Sequence, residues 1–129
     1  MMLKLFKRDE SFCAVLESVL YLKAEGHYTN MYYCKNSKIL LPYGLSQVEK
    51  ELQKLHDGHF FVKVGRSYIV DIRKVVYASI TKECFTLLDH NGMFTNIVVS
   101  KSAVKQFIKI MKDGDSTDSD ILNKKADNG

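Results

Sequence analysis

The chain has 129 residues, 46% hydrophobic and 26% charged, with three Cys, one Pro and no Trp. That length fits one domain with a short tail, and the ordinary composition excludes collagen-like, disulfide-scaffold and wholly disordered classes. Its 19 basic and 15 acidic residues leave a net charge of +4. No apolar run approaches the roughly 20 residues that a membrane helix needs. The segment from Met1 to Asp9 lacks the apolar stretch of a secretory signal. Cys13, Cys34 and Cys84 are odd in number, widely spaced and free of any C-x-x-C pattern. A disulfide framework, a metal site and a bound cofactor are therefore not expected, and reduced thiols in a cytoplasm are the simplest reading.

The charge is unevenly spread. From Asp113 to Gly129 five Asp face two Lys, whereas Met1 to Lys112 holds 17 Lys and Arg against 10 Asp and Glu. A basic body with a tail rich in Gly, Ser and Asp points to a polyanionic partner and a disordered end at 113–129.

In chain order, Leu3 to Lys7 reads as a short edge strand or frayed lead-in within residues 1–14. Phe12 to Leu16 and Ser18 to Ala24 are β-favouring runs broken at Glu17-Ser18, and Glu25-Gly26 marks a turn or bulge. His27 to Cys34 is the next strand, followed by a turn at Lys35 to Lys38 and a strand from Ile39 that Pro42 ends. Ser46 and Glu49 fit a capping box for a helix whose apolar stripe is Leu45, Val48, Leu52 and Leu55. Gly58 is expected just past its C-cap. Phe60 to Val64 and Tyr68 to Val70 are strands flanking Gly65-Arg66-Ser67, and Asp71 caps a single helical turn. Val75 to Ile80, Cys84 to Leu88 and Met93 to Val99 follow, the last two joined through Asn91-Gly92, a strong hairpin signal. Ser100 is placed to cap a terminal helix from Lys101 to Lys112, with Val104, Phe107, Ile108 and Met111 inward. The expected fold is mostly β: an elongated stack of antiparallel sheets with one internal capped helix and a C-terminal helix.

Three polar segments interrupt these strand-rich runs: Glu25 to Asn30, Gly65 to Ser67 and Ser100 to Ser102. Asn and Arg can pair bidentately with base edges, and Ser, Thr and Lys suit phosphates. Loops on a rigid scaffold are common places for binding residues, although spacing alone does not show that the three share a face. Against this stands ordinary turn chemistry. No nucleophile elbow, phosphate-cradling loop or paired metal-ligand spacing occurs, so an enzyme is not expected.

Four ordered blocks resemble one family. Val19-Leu20-Tyr21-Leu22-Lys23-Ala24-Glu25-Gly26-His27-Tyr28-Thr29 is similar to the opening of LytTR-type bacterial DNA-binding domains. Leu45 to Leu52 resembles that family's internal helix, and Phe61 to Asp71 its most diagnostic segment. Val98-Val99-Ser100-Lys101-Ser102 resembles its closing motif. The resemblance covers about Val15 to Met111, so 15–112 is expected to be the DNA-binding domain.

It implies stacked antiparallel sheets whose edge loops enter successive major grooves of double-stranded DNA, in a transcription regulator. Carried over residue by residue, the DNA-binding positions are Thr29, Asn30, Arg66 and Lys101, with Lys63, Ser67 and Ser100 as neighbouring phosphate contacts. Gly65 stands where the family usually has His or Asn, and Asp71 where it usually has Asn. Only about fourteen residues precede the matching region. A receiver domain does not fit there, so control is expected through abundance, a partner or self-association. A pair of domains on a direct repeat, as a homodimer on DNA, suits so small a module. The rival reading is an interaction module of the same fold that pairs with a regulatory protein and does not bind DNA. A single-strand or RNA binder would need exposed aromatics among Tyr28, Tyr32 and Tyr33.

Overall fold

Strand alternation in the middle of the chain decides the architecture, because it leaves apolar side chains on both faces of one sheet. The computed structural model describes residues 1–114. It contains β1 (Met2–Lys7), β2 (Glu10–Val15), β3 (Tyr21–Glu25), β4 (Tyr28–Cys34), β5 (Ser37–Leu41), α1 (Leu45–Gln53), β6 (Phe61–Val64), β7 (Tyr68–Asp71), β8 (Val75–Ser79), β9 (Cys84–Leu88), β10 (Phe94–Val98) and α2 (Lys101–Gly114). Three antiparallel sheets result: β1-β2, a central β5-β4-β3-β7-β6, and β10-β9-β8. The mostly-β fold with an internal and a C-terminal helix is as expected.

Along β3, β4, β5 and β7 the residues Leu22, Met31, Leu41 and Ile69 share one face with α1 and the β1-β2 hairpin. Tyr21 and Val70 lie on the opposite face and pack with Phe85, Leu87, Ile97 and the inner side of α2. The central sheet is thus covered on both faces. The lead-in is a full hairpin whose Leu3, Leu5 and Ala14 enter the first core, since alternate residues of a strand face the same side. The expected tail at 113–129 begins inside α2, which continues through Asp113 and Gly114; positions 115–129 lie outside the described residues.

Local chemistry departs from the sequence reading at three places. α1 is capped by Gly44 and not by Ser46, and no side chain caps it. The capping box fails because Leu45 is drawn into the first turn to lie buried beside Val48 and Leu52. Burying a leucine contributes about 2 kcal/mol, more than the roughly 1 kcal/mol of a good cap. Gly58 is not the residue past the C-cap. It sits in a 3-10 turn, His56–Phe60, where a Cβ would lie 1.6 Å from the Leu52 carbonyl oxygen, so close approach requires glycine there. The β9–β10 hairpin forms at Asn91-Gly92, but among the residues of that turn only Gly92 has positive φ, +78°. Asp89 pairs across the turn with Met93 through N–H to O=C at 3.0 Å, the geometry of a type I turn with a glycine bulge.

Candidate nucleic-acid interface

Register places the polar segments at one end of the central sheet. Glu25 at the end of β3 pairs with Tyr28, and Lys23 pairs with both Asn30 and Tyr68. The β3–β4 turn and the β6–β7 turn therefore emerge side by side, and the Ala24 N–H donates to the Ser67 carbonyl at 2.8 Å. Gly65 opens the second turn with φ +64°, a left-handed conformation that glycine adopts without strain. Arg66 and Ser67 follow as exposed turn residues.

The start of α2 comes to the same place from the other side. Its N-cap is Ser100, whose Oγ accepts the Ala103 N–H at 3.2 Å and lies 3.1 Å from the Ser102 hydroxyl. The β6–β7 turn and the β10–α2 junction line one cleft of about 440 Å³, with Arg66, Ser67, Ser100 and Ser102 among its polar walls and Val98 and Tyr68 among its apolar ones. A helix start presents free backbone N–H groups and the positive end of the macrodipole, so it favours an anion. Lys101, the first residue of α2, is exposed beside it.

Four of the seven candidate residues are thus gathered: Arg66, Ser67 and Ser100 line the cleft and Lys101 stands beside it. The other three are not. Thr29 is fully buried, and its hydroxyl donates to the Tyr43 carbonyl at 2.9 Å, tying β4 to the segment entering α1. Asn30 is 6% exposed, and its Nδ2 lies 3.5 Å from Glu25 Oε2. Lys63 is half-buried on β6, in a separate depression shared with Glu49, His59 and Gln106. Thr29 and Asn30 are adjacent in β4, so they face opposite sides of the central sheet, and each is covered on its own side.

Other cations are used internally. Asp71 is fully buried, caps a 3-10 turn (Ile72–Lys74) by accepting the Arg73 N–H, and receives Arg73 Nε and Nη2 at 3.0 and 2.9 Å. Lys74 Nζ lies 3.7 Å from the same carboxylate and donates to the Glu17 and Val19 carbonyls. Burial lowers the Lys74 amine from its ordinary pKa, opposed by the Asp71 charge. Arg73 also stacks over Phe60 at 4.3 Å. These two cations join segments of the fold and stay outside the cleft.

The tyrosines form no stacking platform. Tyr32 lies flat against Tyr21 with ring centroids 4.3 Å apart, Tyr33 packs on the first core, and of the three tyrosines in β4 only Tyr28 is exposed. Ser102, part of the third polar segment but not one of the seven candidates, also lines the cleft. Lys105, Lys109 and Lys112, which follow Lys101 at steps of four, four and three residues, share its exposed side of α2. Among the described residues no group of His, Cys, Asp and Glu is arranged to hold a metal ion, and no helix is long and apolar enough to cross a membrane.

The model of the LytTr DNA-binding domain family matches residues 9–112. Among solved structures the chain is similar to the LytTr DNA-binding domain of a methyl-accepting/DNA response regulator from Bacillus cereus. The TM-score is 0.56 at 23% identity, over 85% of this chain and 95% of that one. No curated protein matches the chain.

Proposed function

Because the chain belongs to the LytTr DNA-binding domain family, we propose that it is a sequence-specific transcription regulator that reads major grooves of double-stranded DNA through its strand-connecting loops. The observation that carries this reading is the cleft in which the Arg66 turn faces the capped start of α2. Arg66, exposed at the tip of a three-residue turn, can donate two parallel hydrogen bonds to O6 and N7 of guanine. Ser67, Ser102, Lys101 and the free N–H groups of α2 suit the phosphates that fix register. Asn30 and Thr29 support the β3–β4 turn from within, and Lys63 serves the flank of the same loop end. A single module of this size buries little surface, so two copies on a direct repeat, about 10 bp apart, is the favoured arrangement.

The test is selection of bound duplexes from a randomised pool, followed by anisotropy at two salt concentrations. Enrichment of a motif that Arg66→Ala no longer prefers is the expected result. A variant that keeps the wild-type preference removes direct readout by Arg66, and absence of binding at low salt removes DNA as the ligand.

One observation favours the second reading, a protein-interaction module. On the outer face of the β8–β10 sheet Phe94 and Val98 are 64% and 76% exposed, with Tyr77 and Met93 also open. Such an apolar strip suits a protein partner. A Tyr77→Ser/Phe94→Ser variant that binds DNA normally but no longer associates with a regulatory protein would support it.

A further inference from the structure

Helix α2 carries Lys101, Lys105, Lys109 and Lys112, spaced by four, four and three residues. At about 3.6 residues per turn they fall within an arc of roughly 80°. Ala103, Val104 and Phe107, the buried residues of the helix, lie on the far side. All four lysines are exposed, and among the described residues none makes an ion pair or a side-chain hydrogen bond. The other helix is built differently: α1 offsets Lys50 with Glu49 and Glu51, and Glu51 pairs with Lys54 just past the helix end at 3.0 Å. α2 has no acidic residue before Asp113.

Helix stability accounts for Lys112 in the last turn but not for the rest, because Lys105 and Lys109 stand in the body of the helix and Lys101 at its N-terminus, where the dipole disfavours it. Lys105, Lys109 and Lys112 also border a groove floored by Ile80 and Ile108, with Asp113 at its edge the one acidic residue among them. Apolar stems can lie on that floor while the ammonium groups stay in water.

We infer that this lysine ladder is a second contact surface for duplex DNA, independent of sequence, which holds backbone phosphates beside the bases read at the cleft. The inference rests on the proposed DNA-binding reading and extends it about 16 Å along α2 from Lys101. Measured along the duplex axis, that length spans about five phosphates of one strand. Lysine suits the task, being a point charge on a flexible stem with no demand for planar geometry. The cleft supplies discrimination between sequences; the ladder supplies affinity and salt dependence.

The experiment compares the full chain with a Lys105→Gln/Lys109→Gln/Lys112→Gln variant, leaving Lys101 intact. Glutamine is a comparable helix former at exposed positions, and a matching circular dichroism melt verifies the fold. Affinity is measured by anisotropy against the selected duplex and an unrelated one over a salt series. Each phosphate contact contributes about 0.9 to the slope of log K against log salt, so the slope should become shallower by about 2 to 3. Binding should weaken roughly tenfold to a hundredfold on both duplexes alike, leaving the preference between them unchanged. A folded variant with the wild-type slope overturns the inference while the DNA-binding reading stands. A wild-type chain that binds neither duplex at low salt overturns that reading itself.

Discussion

The Ala24 N–H donates to the Ser67 carbonyl at 2.8 Å, which fastens the base of the β3–β4 turn to the turn that carries Arg66. Through this bond the rigidity of the central sheet reaches the exposed arginine. Side chains on loops become useful for recognition when the loop ends are held in this way.

Gly65 offers a direct test of the turn. Its φ of +64° is tolerated by Asn far better than by bulkier residues, and a Cβ there meets only the Ala103 Cβ at an ordinary 3.6 Å. Gly65→Asn should fold with a loss of about 0.5–1 kcal/mol and bind duplex DNA a few times more tightly, since it adds a polar group at the cleft. Gly65→Val should lose roughly 2 kcal/mol in urea unfolding, because a β-branched residue strains in the left-handed region.

Ser100 separates helix capping from DNA contact. Ser100→Ala should cost about 1 kcal/mol by leaving the Ala103 N–H unpaired, whereas Ser100→Asp should keep the cap and most of the stability. Aspartate adds a negative charge at the helix start, so its DNA affinity should fall below that of Ser100→Ala despite the firmer helix. Thermal melts and anisotropy on the same samples check both parts; tighter binding by the aspartate variant would contradict the assignment.

Thr29 is predicted to matter for stability alone. Thr29→Val keeps the volume but leaves the Tyr43 carbonyl without its buried donor, at a cost of about 1–2 kcal/mol. The folded variant should bind duplex DNA with unchanged affinity. A tenfold loss of binding at native stability would instead make Thr29 part of the contact surface.

Asp71 anchors Arg73 and Lys74, and Asp71→Ala should cost roughly 3 kcal/mol by leaving partly buried cations without their counter-charge. Asp71→Asn retains the cap on the Arg73 N–H and should cost distinctly less. Chemical denaturation of the two variants side by side reads the difference, and equal losses would show that the charge contributes nothing beyond the cap.

Cys34 ends β4 at the turn into β5, where hydrogen bonds from the Ser37 hydroxyl and the Asn36 amide stabilise its thiolate and lower its pKa. A lowered pKa means a larger thiolate fraction at neutral pH, and thiolate is the reacting form. Alkylation of Cys34, followed by mass spectrometry between about pH 6 and 9, should therefore have its midpoint below that of a free thiol. Ser37→Ala should move that midpoint upward.

Strand order and hairpin partners follow from patterns that local chemistry dictates. Leu22, Met31 and Ile69 alternate with Tyr21, Tyr32 and Val70 between the two faces of the central sheet, Asp71 and Ser100 cap the turns expected of them, and Gly26, Gly65 and Gly92 mark three reversals. The capping box at Ser46 misled because a local cap competes with burial of Leu45, and burial depends on a sheet assembled from distant segments. The placement of Gly58 misled in the same way, since its need for glycine comes from the Leu52 carbonyl and not from a helix end.

For the candidate site the division is sharper. The residue types, the three polar interruptions and the family resemblance were all present in the one-dimensional chain, and they pointed alike to Thr29, Asn30, Lys63, Arg66, Ser67, Ser100 and Lys101. Which donors stand free was decided only by tertiary structure. Thr29 and Asn30 lie one and two residues into a strand whose faces are both covered, so one hydroxyl is spent on Tyr43 and the amide is shielded beside Glu25. Arg66 and the start of α2, separated by 34 positions, meet because packing α2 on the second face of the central sheet buries Val104 and Phe107. A side chain's type is a local property; its exposure is set by whatever the rest of the chain lays over it.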